Sequence, residues 1–258
     1  MKIQPIKEWK VEELRVKVYR DRRQMGQAAA WDVAQNVRRL ALDRKEINMV
    51  FAAAPSQNEF LEAFNQEELP WEKINAFHMD EYIGLPEDAP QGFGNFLRVR
   101  LFDKHAFRNV FYFHGNAANR DEEQRRMEAC LKAHPLDMAC MGIGENGHIA
   151  FNDPHVADFQ DPCMVKVVDL DETCRAQQVH DGCFASLDQV PRYAFTMTIP
   201  VLVAPKAIHC IVPAKQKAEA VRRTLLGPVS EECPASILRR CPGAVLYLDQ
   251  DSASLLDI

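Results

Sequence analysis

The sequence predicts an α/β fold with a largely parallel sheet. Apolar runs of strand length, rich in Val, Ile, Phe or Tyr, alternate along the chain with amphipathic or charged segments of helix length. This alternation is typical of βαβ crossovers, which place neighbouring strands parallel. The predicted strands are 47–54, 74–79, 109–115, 137–144, 163–170, 193–200, 207–214 and 244–249.

The segments between these strands are predicted to be helical. They are 58–65, 94–105, 119–133, 172–183 and 215–226, and the polar segment 11–45 that opens the chain is also predicted as helix. The chain contains no Ser/Gly-rich linker and no internal repeat, so residues 1–258 are predicted to form a single domain. Ligands of such sheets bind at the carboxyl ends of the strands, where site residues are therefore expected.

Charge and composition argue against several classes of partner. The formal net charge of −6 disfavours binding to nucleic acid and to anionic membrane surfaces. A small anionic ligand stays compatible with it, because a few local cations and backbone N–H groups outweigh net charge at short range. The eight cysteines form no C-x-x-C pair and lie mostly among apolar neighbours, as expected for reduced thiols.

The apolar stretches do not resemble membrane or export segments. The N-terminus is charged almost from its start and lacks the apolar run of a signal peptide. The most apolar region, 194–214, is interrupted by Pro200, Pro205 and Lys206, short of the ~20 residues that span a bilayer. We therefore expect a cytoplasmic protein.

Two segments that follow predicted strands carry acid–base groups. In AFHMDEY, Asp80 and Glu81 offer a general base near a substrate carbon, although a solvated acidic turn explains the pair equally well. In GIGENGHIAFNDP, Gly142 and Gly144 let the backbone approach an anion, and His148 follows shortly after. A histidine oriented by a nearby carboxylate such as Asp153 moves protons near neutral pH, whereas a lone histidine in a turn is more often structural.

Two further segments offer anion-binding groups. Ser56, Gln57 and Asn58 connect a strand to a helix whose free N–H groups suit a phosphate, but ordinary N-capping explains them better when they are taken alone. Lys215 and Lys217 lie where a later strand gives way to a helix. Either lysine is a candidate phosphate ligand, and a solvated helix start is an equally good explanation.

Taken together, these segments resemble the glucosamine-6-phosphate deaminase/isomerase family, which is related to phosphogluconolactonases. The resemblance rests on MDEYIGLP and GIGENGHIAFNDP, and it continues in QVPRYAFTMTIP, AKQKAEAV and VSEECPASILRR in matching order. It implies a single doubly wound sheet with helices on both faces. It also implies conversion of glucosamine 6-phosphate to fructose 6-phosphate and ammonia without metal or organic cofactor, in a homo-oligomer.

The resemblance assigns roles position by position. Asp80 matches the base that moves a proton between the second and first sugar carbons, and His148 matches the group that opens the pyranose ring. Asp153 matches the acidic residue that orients this histidine, where the family usually has Glu. Lys217 matches a phosphate-binding lysine, and Glu81 lies beside the base in the same motif.

The sequence also departs from the family pattern. Asn146 stands where the family usually has Asp, a second carboxylate partner of the histidine. The segment 54–59 replaces a Thr/Gly-rich phosphate loop. Asp181 stands near the place of a phosphate-binding arginine, for which Arg175 is a possible replacement.

Three other functions compete with deamination. They are isomerisation of a sugar phosphate without loss of ammonia, lactone hydrolysis, and sugar-phosphate sensing without catalysis. The run HIAFNDP and the pair Asp80–Glu81 resemble deaminases more than lactonases, whereas Asn146 and the altered loop favour a sensor. The joint presence of Asp80, His148 and Asp153 favours an enzyme.

Overall fold

The structure, a computed structural model, describes residues 3–256, so residues 1–2 and 257–258 of the predicted domain lie outside the described part. The strands are β1 Lys7–Val11, β2 Leu14–Tyr19, β3 Ile47–Phe51, β4 Ile74–His78, β5 Asp80–Tyr82, β6 Asn109–Phe111, β7 Met138–Met141, β8 Val165–Asp169, β9 Tyr193–Met197, β10 Ala207–Val212 and β11 Ala244–Asp249. The α-helices are α1 Arg22–Asp43, α2 Asn58–Phe64, α3 Phe93–Arg100, α4 Arg120–Ala133, α5 Glu172–His180, α6 Ile199–Val203 and α7 Ala218–Leu226.

Eight of these strands form a mostly parallel central sheet. Their order is β1-β2-β11-β10-β7-β3-β4-β6, and each neighbouring pair is parallel except the β1–β2 hairpin. The fold class that the sequence predicted is thereby confirmed.

Helices cover both faces of this sheet because successive side chains of its strands point to opposite faces and are apolar on both. On β3, Met49 and Phe51 point into a core that also contains Val33 of α1. Val50 points the other way, into a second core that contains Leu131 of α4. Both cores are apolar, which makes burial of these faces the main driving force for the architecture.

The strand order creates a switch point in the middle of the sheet. From β3 the chain proceeds outward to β4 and β6, whereas from β7 it proceeds to β10 and β11 on the other side. The loops after β3 and β7 therefore diverge and leave a crevice at the carboxyl ends of the central strands, where ligands bind in open α/β sheets.

The prediction that residues 11–45 form one helix is wrong in its first third. Leu14, Val16 and Val18 alternate with Arg15 and Lys17, and this period of two forms β2, which pairs with β11. The helix begins only after Asp21, whose carboxylate accepts the Gln24 N–H at 2.8 Å.

The structure adds a second sheet that the sequence did not predict. Strands β5, β9 and β8 pair antiparallel in that order, apart from the central sheet. The predicted strands 163–170 and 193–200 therefore exist but do not join the parallel sheet. Lys166 and the exposed Asp169 leave β8 only partly covered, as is common in antiparallel sheets, whereas β3, β4, β7 and β10 are buried throughout.

Candidate active site

A cleft opens where β3, β4, β7 and β10 end, at the switch point of the sheet. It brings together residues that are more than 150 positions apart in the sequence. The predicted site residues that line it are Ser56, Gln57, Asp80, Gly142, Gly144, His148 and Lys217.

Lys217 places a buried cation in this cleft. Its side chain is only 5% exposed, and within residues 3–256 no carboxylate oxygen lies within 4.0 Å of its Nζ. Burial lowers the pKa of Lys217. The negative charges of Asp181 and Glu145 act in the other direction and raise it, but burial is the larger effect. A desolvated ammonium without a close partner is a strong anion-binding group. Lys215, by contrast, is exposed.

The turn before Lys217 is held in an unusual conformation. Ala214 has a φ of 84°, in the left-handed region that costs energy for a residue with a Cβ. Both carboxylate oxygens of the buried Asp249 accept the Ala214 N–H at 3.1 Å. This contact fixes the turn that directs Lys217 toward the cleft.

The loop after β3 forms the wall of the cleft beside β10. Its 3-10 helix, Pro55–Gln57, carries the polar side chains of Ser56 and Gln57. The Gln57 Nε2 donates to the Ile211 carbonyl at 3.1 Å and to Ser56 Oγ at 3.2 Å. Gln57 therefore braces the loop against β10 and keeps the Ser56 hydroxyl at the cleft.

Asp80 is a buried carboxyl group at the end of β4. It forms the first residue of β5, pairs with Thr196 and is 5% exposed. Burial, followed by the nearby Glu81 charge, raises the pKa of Asp80 well above its ordinary value. His78 holds the backbone here: its Nδ1–H donates to the Asp80 carbonyl at 2.8 Å, while its Nε2 accepts the Phe113 N–H.

His148 and Asp153 form a close pair behind the cleft. Nδ1 of His148 lies 2.9 Å from Oδ1 of Asp153, although the oxygen lies off the line of an N–H bond. Asp153 is fully buried, and burial opposes its ionisation. The close approach of His148 and the hydrogen bond from Asn146 outweigh this and hold the pKa of Asp153 below its ordinary value. With Nδ1 beside Asp153, Nε2 is the nitrogen available to a ligand in the cleft.

Asn146 lies next to this pair but makes different contacts from those expected. Its Oδ1 accepts the backbone N–H of His148 at 3.0 Å, so it holds the peptide and not the imidazole ring. Its Nδ2 donates to Asp153 at 2.9 Å and to Asp171 at 3.0 Å. Where the family's Asp would be a second carboxylate partner of the histidine, Asn146 instead connects the His148 backbone to Asp153 and Asp171.

Three other predicted site residues do not line the cleft. The Glu81 carboxylate accepts hydrogen bonds from the backbone N–H of Tyr82 and from those of Phe93 and Gly94, which begin α3. Asn58 accepts a hydrogen bond from Arg100. Arg175 donates to the carbonyls of Leu187 and Val190, so it fastens the loop after α5, and its role as a phosphate ligand stays a prediction.

Two glutamines that the sequence analysis missed do line the cleft. Gln177 and Gln178 lie on α5 and are buried, on the same side as Cys174. Their spacing of three and four residues from Cys174 places all three on one helix face. The signal available in the sequence was a pair of glutamines on the same face of a predicted helix as an apolar-type cysteine, because glutamine on a buried face usually has a polar role.

Gly144 is needed because the imidazole of His148 lies against it. A Cβ at this position would come within 2.1–2.3 Å of three ring atoms of His148. At Gly142 the nearest atom to a Cβ is Gln57 Nε2 at 3.1 Å, the end of a flexible side chain.

We predict that Gly144→Ala lowers kcat/KM by about tenfold or more while the chain still folds, because the ring must move and small misplacements are costly in catalysis. Steady-state kinetics with circular dichroism measures this. Gly142→Ala is the matched control and should be milder. Equal effects of the two substitutions would contradict the steric argument.

A second cavity lies on the other side of Glu81. It measures about 610 Å³, against about 60 Å³ for the cleft. Arg98, Asp103 and Tyr112 lie in its wall, but it contains neither Asp80, His148 nor Lys217. We assign the candidate site to the cleft on chemistry, not on size.

Potential metal ligands also occur behind the cleft. Donor atoms of His148, Asp153 and Cys174 lie within 4.8 Å of one another, as do those of Asp153, His155 and Asp171. Asp153 already accepts hydrogen bonds from Asn146 and Asp171. The sequence-based expectation of a metal-free site thus remains a prediction.

Comparison with solved structures identifies the class of protein. The chain is similar to a monomeric glucosamine-6-phosphate deaminase, with a TM-score of 0.85 and 29% identity over 93% of this chain and 99% of that one. It also shares its fold with a 6-phosphogluconolactonase from Thermotoga maritima, with a TM-score of 0.73 and 17% identity over 91% and 98% of the two chains. The fold is therefore that of sugar-phosphate enzymes.

Sequence relatives give the same result. Residues 20–247 match the model of the family described as glucosamine-6-phosphate isomerases/6-phosphogluconolactonase, and the chain belongs to this family. It is 35% identical to a glucosamine-6-phosphate deaminase of Bacillus cereus over 74% of this chain and 71% of the relative. It is 34% identical to one from Listeria innocua over 82% and 88%. These relatives indicate an enzyme of carbohydrate metabolism.

In residues 3–256, no helix combines the length and the apolar character needed to cross a membrane.

Proposed function

We propose that the protein converts glucosamine 6-phosphate to fructose 6-phosphate and ammonia. The observation that carries this proposal is that one cleft holds a buried unpaired ammonium, Lys217, together with the acid–base groups Asp80 and His148. Relatives described as glucosamine-6-phosphate deaminases support this choice of substrate. The C–N bond is then broken by water, which makes the reaction hydrolytic.

The reaction follows from these groups in three steps. His148, oriented by Asp153, moves a proton at the ring oxygen and opens the pyranose. Asp80 takes the proton from C2 of the open-chain aldehyde, which gives an enolamine, and returns a proton to C1. The resulting imine at C2 adds water and releases ammonia, which leaves the ketone of fructose 6-phosphate.

The remaining cleft residues hold the substrate. Lys217 and Ser56 bind the phosphate, with Gln57 keeping the loop in place. Gly142 and Gly144 allow the sugar to approach the backbone after β7. Gln177 and Gln178 supply amides suited to sugar hydroxyl groups.

We predict that Lys217→Met raises KM for glucosamine 6-phosphate by roughly 10–100-fold with a smaller change in kcat. A hydrogen bond to a charged group stabilises binding by about 1.5–3 kcal/mol, and the phosphate is remote from the reacting carbons. Lys215→Met is the matched control, because Lys215 is exposed in the same 3-10 helix. An equal rise in KM for both variants would argue against Lys217 as the phosphate ligand.

The raised pKa of Asp80 predicts the pH dependence. The base must be ionised to accept a proton, and burial shifts its ionisation to higher pH. The acidic limb of kcat/KM, which reports the free enzyme, should therefore lie above the ordinary aspartate pKa of 3.8. A rate profile that stays flat down to pH 4 would show that the catalytic base is not this buried carboxyl group.

One assay separates deamination from its rivals. Purified protein is incubated with glucosamine 6-phosphate while ammonia and fructose 6-phosphate are both followed. Equal amounts of the two products support the proposal. An isomerised amino sugar without ammonia indicates a plain isomerase, and binding without turnover indicates a sensor. A parallel assay with 6-phosphogluconolactone tests the lactonase alternative.

The wider organisation of the protein also remains a proposal. We propose a single domain over residues 1–258, which one cooperative unfolding transition would support. We further propose a cytoplasmic homo-oligomer without nucleic-acid or membrane partners. The deaminase structure with a TM-score of 0.85 is described as monomeric, which makes the oligomeric state worth measuring. A mass in solution of 29.4 kDa, that of one chain, would contradict the proposed homo-oligomer.

A further inference from the structure

Asp171, the residue immediately before α5, connects that helix to the proposed proton relay. Oδ1 of Asp171 accepts the Cys174 N–H at 2.6 Å and caps α5. Its Oδ2 accepts Asn146 Nδ2 at 3.0 Å, and its own N–H donates to Asp153 Oδ2 at 3.2 Å. Asp171 thus contacts two residues that surround His148.

The hydrogen bonds of Asn146 connect two carboxylates to the backbone of His148. Its two amide hydrogens go to the carboxylates of Asp153 and Asp171, and its oxygen accepts the His148 N–H. An amide has both donors and an acceptor, whereas an ionised carboxylate accepts only. A neutral residue at position 146 is therefore what allows two carboxylates to lie on either side of it.

We propose that Asp171 is a positioning residue of the His148–Asp153 pair and acts through the Asn146 amide. Its catalytic consequence rests on the proposed deaminase function. Asp171 holds the Asn146 amide so that Asp153 Oδ1 stays beside His148 Nδ1.

Other titratable groups also surround His148 and limit the influence of Asp171 on it. From α5 the Cys174 thiol faces Asp153, and burial raises its pKa so that it stays uncharged. Asp80 and Lys217 line the same cleft from β5 and from the segment after β10, with opposite charges when both are ionised. Asp171 is separated from the ring by one amide and is partly exposed, so we expect a modest contribution.

The same contacts couple the relay to the helix that lines the cleft. Gln177 and Gln178 reach the cleft from α5, and Asp171 caps this helix. A displacement of α5 would therefore also disturb the Asn146–Asp153 contact.

The test compares two substitutions that both keep a helix cap. Asp171→Asn keeps the size of the side chain and Asp171→Ser shortens it, but each leaves one oxygen where Asp171 has two. That oxygen can still cap α5, so neither variant can also accept from Asn146 Nδ2. The distance from His148 Nδ1 to Asp153 Oδ1 is measured in crystal structures of the ligand-free variants, and we expect it to lengthen from 2.9 Å beyond hydrogen-bond reach in both. Asp21→Asn, which alters the cap of α1, is the matched control and should leave this distance unchanged.

Moving the carboxylate from position 171 to position 146 gives a second readout. Asn146→Asp alone places three carboxylates together and should lower both the melting temperature and kcat. Adding Asp171→Asn restores the original charge count, so the double variant should be less impaired than Asn146→Asp alone. An unchanged His148–Asp153 distance in Asp171→Asn, or a double variant as impaired as Asn146→Asp, overturns the proposal. If the wild type releases no ammonia, the deaminase function fails, but the crystal structures of the variants still decide the role of Asp171.

Discussion

Asp80→Asn is expected to reduce kcat by ~10²–10⁴-fold with KM within a few-fold of wild type, because an amide cannot accept the proton from C2. The substitution is nearly isosteric, and Asp80 lies at the cleft with only 5% exposure. Its neighbours should remain in place, since His78 bonds the Asp80 backbone and not its side chain.

Ammonia release under saturating glucosamine 6-phosphate measures this loss, and a thermal melt shows that the variant is folded. Asp88→Asn makes the same chemical change on an exposed aspartate in the following loop and should leave the rate unchanged. Activity of Asp80→Asn within a few-fold of wild type would show that another group is the base.

His148 and Asp153 are expected to act as one unit. Their 2.9 Å contact means that Asp153 has its proposed effect only through the imidazole. His148→Gln and Asp153→Asn should each lower kcat by about 10²-fold or more, and the double variant should lose little beyond the larger single loss.

The complete double-mutant cycle in kcat measures this coupling. Losses that multiply in the double variant would mean that the two residues contribute independently, and the relay would be abandoned. Because Asp153 is fully buried, melting temperatures of all three variants are needed to separate lost catalysis from lost folding.

The sequence predicted the parallel strands well because they carry a strong signal. Strands β3, β4, β7 and β10 are mostly apolar runs that are buried on both sides, and few other structures accommodate such runs. Placing Asp80, His148 and Lys217 at strand ends then followed from the sheet geometry, which gathers these ends on one edge.

The errors arose where side-chain partners decide the outcome. Asn146 contacts two carboxylates because Asp171 approaches from α5, 25 residues later, and no local pattern encodes that contact. Arg175 and Asn58 are polar residues close in sequence to strands that end at the cleft. In the structure Arg175 donates to carbonyls of the loop 187–190, and Asn58 accepts from Arg100. The antiparallel second sheet was missed because β8 and β9 are individually ordinary strands.

A crystal structure with the reduced open-chain analogue of glucosamine 6-phosphate tests the central claim most directly, since this analogue has no carbonyl and cannot isomerise. We expect the phosphate within about 2.7–3.2 Å of Lys217 Nζ, with C1 and C2 facing Asp80 and Nε2 of His148 near the oxygen on C5. A phosphate bound away from Lys217, or a ligand in the cavity beyond Glu81, would contradict the account.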